Sequence, residues 1–308
     1  MRLGLGCVIM MERDLEMRPV QGVLWMLASG LSFVGVNALV RWLGTDLPAA
    51  QSAFLRFAFG VVFLIPTILP VLRAGFAPGA LPLFLGRGVA HTAAVIFWFY
   101  AMARLPVAEV TAIGYLNPIL VTLGAALLFG ERLGLRRMLA VAVAILGAVI
   151  VLRPGLRDLS LAHLSQVCAA SGFAASYLFA KRLSGLASAG AIVAMLSLCV
   201  TLGLLPFALL NWQPVTLVQL GALAVVALCA TTGHYCMSRA FAVAPMAVTQ
   251  PVTFLQLVWA TLLGLLVFGE GIDGFVLLGG AIIITAISAN TWREARLRRR
   301  ADEVAAAL

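Results

Sequence analysis

Charge is what this sequence lacks. Only 11% of its 308 residues are Asp, Glu, Lys or Arg, and 63% are hydrophobic; ordinary soluble domains have about 25% and 45–50%. A soluble globular domain is excluded. So is an extramembrane catalytic domain, because too little polar sequence remains to build one. Nucleophile elbow, phosphate loop and metal pair are all missing, so no catalytic residue, cofactor or metal ion is expected, and an integral-membrane enzyme is a remote alternative. The five cysteines, Cys7, Cys168, Cys199, Cys229 and Cys236, have no paired ligand spacing, and four sit in apolar segments where cysteine acts as a small hydrophobe. The short apolar stretch Leu3–Met11 is broken by Glu12, Arg13 and Asp14 with no small-residue cleavage site after it, so residues 1–19 read as a tail and not as a signal peptide.

What is present is a series of long apolar runs. A helix crossing a bilayer needs about 20 mostly apolar residues, and ten such spans fit: 20–42, 50–72, 83–103, 107–129, 136–152, 163–182, 188–210, 217–238, 246–268 and 273–291. The runs are too long and unbroken for the alternation of a membrane β-barrel. The fold class is therefore an all-α polytopic membrane protein of ten transmembrane helices. The net charge of +9 does not signal nucleic acid, because the basic residues sit singly or in pairs between apolar runs. They signal topology instead. With the N-terminus inside, sixteen Lys and Arg fall on the inner side and Arg41, Arg104, Arg153 and Arg157 on the outer. Cytoplasmic loops collect such residues, so both termini are expected in the cytoplasm of a bacterial-type inner-membrane protein, the last being a basic tail at 292–308.

The chain also repeats itself. A shift of 139 positions lays Ala101-x-Ala103-x-x-Pro106 and Phe129-Gly130-Glu131 over Ala240-x-Ala242-x-x-Pro245 and Phe268-Gly269-Glu270. A weaker echo joins Ala28-Ser29-Gly30 to Ala170-Ser171-Gly172. Two five-helix copies follow, 20–152 and 163–291. Five is odd, so the second copy enters the membrane from the opposite side, an inverted repeat of the kind secondary transporters use for alternating access. The charges agree: Arg132, Arg136 and Arg137 after the first Phe-Gly-Glu are matched by Gly271, Phe275 and Val276 after the second.

These motifs, with ten spans in two halves, resemble the EamA-type drug/metabolite transporter superfamily across residues 20–291, and within it the bacterial amino-acid and metabolite exporters. The resemblance implies a central cavity enclosed by spans 1, 3, 4, 6, 8 and 9, with spans 5 and 10 at the periphery.

Few ionisable groups lie deep in any span, and such groups are functional suspects by default. Arg56 sits near the start of span 2, where it reads as snorkelling or pairing near the outer surface. Glu109, Glu131 and Glu270 lie near span ends, the last two placed to bond free amides where helices 5 and 10 begin. Histidines are placed deeper. His91 in span 3 and His234 in span 8 fall one turn apart in the repeat, with Trp98 on the His91 face. Imidazole and indole together suit an amphipathic organic molecule. Asn117 in span 4 and Gln256 in span 9 are repeat equivalents, either lining a cavity or binding helices together. Asn37 of span 1 and Tyr177 of span 6 complete the expected substrate site. Pro118 and Pro251 break spans 4 and 9 as kinks or hinges.

An interior without fixed cations fits neutral or zwitterionic metabolites, amino acids first, carried by facilitated diffusion and exported. Nucleotide-sugar or sugar-phosphate exchange and proton-coupled drug export are the alternatives. Small residues four apart in spans 5 and 10, Ala140, Ala144 and Ala148, then Ala281, Thr285 and Ala289, predict tight packing or a homodimer through those helices.

Overall fold

The computed structural model describes residues 19–129, 135–155, 158–183, 185–243, 249, 252–253 and 255–306. Among them there are helices and no strand. In chain order they are α1 (Pro19–Leu43), α2 (Ala49–Ala74), α3 (Ala80–Met102), α4 (Val107–Gly114), α5 (Leu116–Phe129) and α6 (Leu135–Leu152). The second half supplies α7 (Leu161–Leu183), α8 (Ala189–Leu210), α9 (Leu217–Val243), α10 (Leu255–Phe268) and α11 (Gly274–Ala306). Five of these, α1, α2, α3, α8 and α9, are long and apolar enough to cross a membrane on their own. Long α7 is more polar, and its Gln166 and Ser176 are buried. Polar side chains in a lipid-facing helix would stand unsatisfied, so α7 turns them inward.

The most extensive pairings are α1 with α9, α3 with α7, α6 with α11 and α2 with α8. Exchanging the two halves turns the first pairing into the second and leaves the other two unchanged. That is the pattern a two-fold relation between the halves requires. At the α6–α11 crossing the backbones touch: a Cβ placed on Gly147 would lie 2.7 Å from the Gly279 carbonyl oxygen. Ala144 and Ala148 pack there against Ile283 and Ala286 of the same chain, which spends that part of the small-residue stripe inside the molecule. Ala281, Thr285 and Ala289 stay exposed.

Three local expectations change. The fourth span is not one helix but two, parted at Tyr115, whose N–H turns to the Ala112 carbonyl at 3.2 Å. Pro118 has no N–H to give the Gly114 carbonyl, so the break falls one turn before the proline, and Tyr115 and Asn117 need not obey the spacing of a single helix. α11 runs through most of the basic tail as far as Ala306. Arg87, counted among the loop cations, is buried inside α3. Pro251 and Glu131 lie outside the described residues.

Candidate functional site

Midway along the bundle, α3 and α7 bring His91 to Ser176, with Nδ1 and Oγ 3.1 Å apart. The imidazole meets the rings of Phe173 on α7 and Phe57 on α2 edge to face, with centroids at 5.0 and 6.0 Å. Arg56 lays its guanidinium over the Phe57 ring, 3.9 Å from the centroid. It therefore stacks inside the bundle and does not snorkel to the surface. Across the opening, Ser29 of α1 donates to the Gly233 carbonyl at 2.9 Å, which fixes α9 so that His234 meets Phe33 at 5.1 Å.

These pieces form one cluster. Arg56, Arg87 and His234 all lie within electrostatic reach of His91, and Arg87 within reach of Tyr177. Arg87 is 6% exposed, one guanidinium nitrogen donates to the Ile192 carbonyl at 3.0 Å, and its Nε has no partner. A buried donor without a partner is costly and is a natural place for a ligand's acceptor. Tyr177 keeps 42% of its surface accessible, beside the buried Ser176 that bonds His91. Arg56, His91 and His234 are each partly buried. The cluster draws on α2, α3, α7 and α9 and joins aromatic edges to the guanidinium groups of Arg56 and Arg87, and the space it borders is the candidate lumen. Such a surface grips a flat ring system and donates to acceptors on its rim.

The remaining predicted residues are spread around it. Trp98, two turns from His91, is half-buried against Phe99 at 5.2 Å between centroids. Asn37 is buried on α1. Asn117 donates to the Ala170 carbonyl of α7 at 3.4 Å, which is the helix-binding role. Gln256 is half-buried in the first turn of α10, and Pro118 is half-buried in α5. Sequence reasoning passed over Arg87, although it stands one turn before His91 on the same face within an apolar run. It also left Glu109 without a role and passed over His163.

One end of the bundle, here the Glu270 end, carries a second polar group. Gly269 adopts φ +64°, so the chain reverses after α10 and the Glu270 N–H reaches the Gly264 carbonyl at 2.9 Å. The turn throws the Glu270 carboxylate onto the first half. Its Oε1 accepts from Arg41 Nε and its Oε2 from the Val107 N–H, both at 2.9 Å. The expected amide partners at the start of span 10 belong instead to Asp273, which accepts from Phe275 N–H at 2.9 Å and pairs with Arg153. Partial burial works against the Asp273 charge, but Arg153 and the α11 amides outweigh it and hold its carboxyl below the usual value. A third pair, Glu109 with His163, sits beside them. All three join a residue of the first half to one of the second. Between them opens a cleft of about 180 Å³ bordered by Glu109, Glu270 and Asp273.

Residues 20–153 and 160–292 each match the profile of the EamA-like transporter family. Over 301 residues, 95% of this chain and 100% of the relative, the chain is 30% identical to a riboflavin transporter of Vibrio cholerae. A riboflavin transporter of Rhizobium johnstonii is 31% identical over 87% of this chain and 90% of its own. A pseudopaline exporter of Pseudomonas aeruginosa is 27% identical, over 86% and 94%. One crystal structure shares the fold at a TM-score of 0.58 and 20% identity, covering 91% of this chain and 96% of that one.

Proposed function

Because the chain belongs to the EamA-like transporter family, and is accordingly a multi-pass membrane transporter of a small metabolite, we propose that its substrate is a planar aromatic metabolite of the flavin type, with riboflavin the first candidate. The observation that carries this reading is the cluster in which Phe57 and Phe173 meet His91 and Phe33 meets His234, with Arg87, whose Nε has no partner, within electrostatic reach of His91 and Tyr177. A flavin presents a broad apolar ring, carbonyl acceptors along one rim and a chain of hydroxyls. Rings, guanidinium donors, and hydroxyl and imidazole groups match these in turn. The riboflavin-transporting relatives point the same way.

Amino acids followed from an uncharged centre, and Arg87 removes that premise, so they enter as competitors in the test. The two halves, 20–152 and 163–291, move as the units of alternating access about the lumen, with the three cross-half pairs shutting the Glu270 end. The positive-inside count puts that end outside and both termini in the cytoplasm. The test is counterflow of radiolabelled riboflavin in proteoliposomes, challenged with excess unlabelled riboflavin and with an amino-acid mixture. Saturable exchange blocked by riboflavin alone is the expected result. Exchange of amino acids with no flavin movement would overturn the reading.

A further inference from the structure

Two arginines of the lumen cluster carry charge that the chain itself leaves unmatched. Arg56 and Arg87 are each the eighth residue of their helices, counted from Ala49 and Ala80, which puts each about 10 Å along its axis from the first residue. Arg87 stands one turn before His91 on α3. Arg56 adjoins Phe57, whose ring meets His91 with centroids 6.0 Å apart. Both arginines are also within electrostatic reach of His234 on α9, so the two charges act on one site.

What holds each guanidinium brings no negative charge. Arg56 lies over the Phe57 ring, 3.9 Å from its centroid. Arg87 gives one nitrogen to the Ile192 carbonyl at 3.0 Å, is 6% exposed, and its Nε has no partner. Buried charges are normally matched by opposite ones, and a cation kept inside a membrane span is costly unless it has work to do. Among the described residues no carboxylate pairs with either arginine. Asp46 and Asp158 are exposed between helices. Glu109, Glu270 and Asp273 border the cleft at the Glu270 end, and Glu294, Asp302 and Glu303 belong to the part of α11 beyond the tenth span.

We propose that the opposite charge arrives with the substrate: the lumen selects a planar ring that bears a phosphate monoester, and Arg56 and Arg87 are the residues that select it. The proposal rests on the flavin reading of the same lumen and orders its ligands, with the phosphate ester of riboflavin ahead of riboflavin. Charge decides between the acidic groups a metabolite can carry. A carboxylate offsets one guanidinium, whereas a phosphate monoester carries about −1.5 to −2 charges at neutral pH and three acceptor oxygens, enough for both. The planar fork of arginine donates to two such oxygens at once, and the Nε of Arg87 is one donor still to be used. A side chain of hydroxyls alone fills the same space but leaves two positive charges unmatched.

Two titrations at constant ionic strength test this. In the first, quenching of flavin fluorescence gives the affinities of riboflavin and of its phosphate ester for the wild type, Arg56→Met and Arg87→Met. The wild type is expected to bind the ester about tenfold more tightly, the size of one charged hydrogen bond, and the preference shrinks in each variant. No preference in the wild type, or a preference kept in full by both variants, overturns the proposal. The wild-type comparison stands by itself should a variant fail to fold. The second titration needs no flavin. Sodium phosphate is added against sodium chloride, and the thermal midpoint in detergent is followed. Binding to a site raises the midpoint with a saturating dependence on phosphate, whereas exclusion of the salt from the surface acts alike on all variants. The wild type is expected to show a saturating rise that both variants lack. An equal rise in all three proteins, or none in the wild type, overturns the anion site. Failure of both flavins to bind would count against the flavin reading alone, because the phosphate titration still decides the site.

Discussion

Glu270 satisfies an arginine and a backbone amide of the other half with two oxygens. Hydrogen bonds to a charged group contribute about 1.5–3 kcal/mol, and a donor left unpaired costs about 1–3 kcal/mol. Glu270→Ala is therefore expected to lower the thermal midpoint in detergent. A double-mutant cycle with Arg41→Ala should show the two effects coupled by about 1 kcal/mol or more, and additive losses would deny the pair a role. Asp273 gives a pH test. Its folded carboxyl lies below the ordinary value, so its stabilisation is present above the ordinary carboxylate range and is lost as pH falls through the folded value. The stability gap between wild type and Asp273→Asn should be open at neutral pH and close in acid. A gap independent of pH would contradict the assignment. Residues were the least legible scale in the sequence. Glu270 was recognisable as important from the repeated Phe-Gly-Glu, but its partners, Arg41 and Val107, lie far off in the chain. Spacing along one helix cannot report that.

Helices were easier to read, because a bilayer demands unbroken apolar length and the sequence supplies it. Spans 1, 2, 3, 5, 6, 7 and 8 begin and end within a few residues of α1, α2, α3, α6, α7, α8 and α9, while the fourth divides at Tyr115, α10 is described only from Leu255, and the helix of the tenth runs on to Ala306. A proline announces a break but not which residue absorbs it. Pro118→Ala restores the N–H that the Gly114 carbonyl lacks, so amide exchange around Tyr115 should slow; unchanged exchange would show that packing and not the proline sets the break. The α6–α11 crossing depends on bare backbone, as membrane helices often do where lipid gives no hydrophobic drive to associate. Gly147→Leu places its Cβ 2.7 Å from the Gly279 carbonyl oxygen and from the Ile283 side chain, and should cost well over 1 kcal/mol. A wild-type thermal midpoint in that variant would mean the two helices are not held as described.

At the scale of the whole molecule, the repeat readable in the sequence reappears as pairings that survive exchange of the halves. The lumen was only partly legible. Depth and helix face point to His91 and His234, whereas Arg87, four residues into the third span, counts in the sequence as one of the inner-side cations. That single misplacement made the centre look uncharged and drew the substrate toward amino acids. The most direct test of the lumen as a flavin site is equilibrium binding of riboflavin to the purified protein, read by quenching of flavin fluorescence. Wild type should bind saturably, and His91→Ala and Arg87→Met should each weaken binding about tenfold, equivalent to about 1.4 kcal/mol, while Trp292→Ala, exposed on α11, leaves it unchanged. Equal binding by all four proteins, or none by the wild type, would contradict the assignment of the lumen.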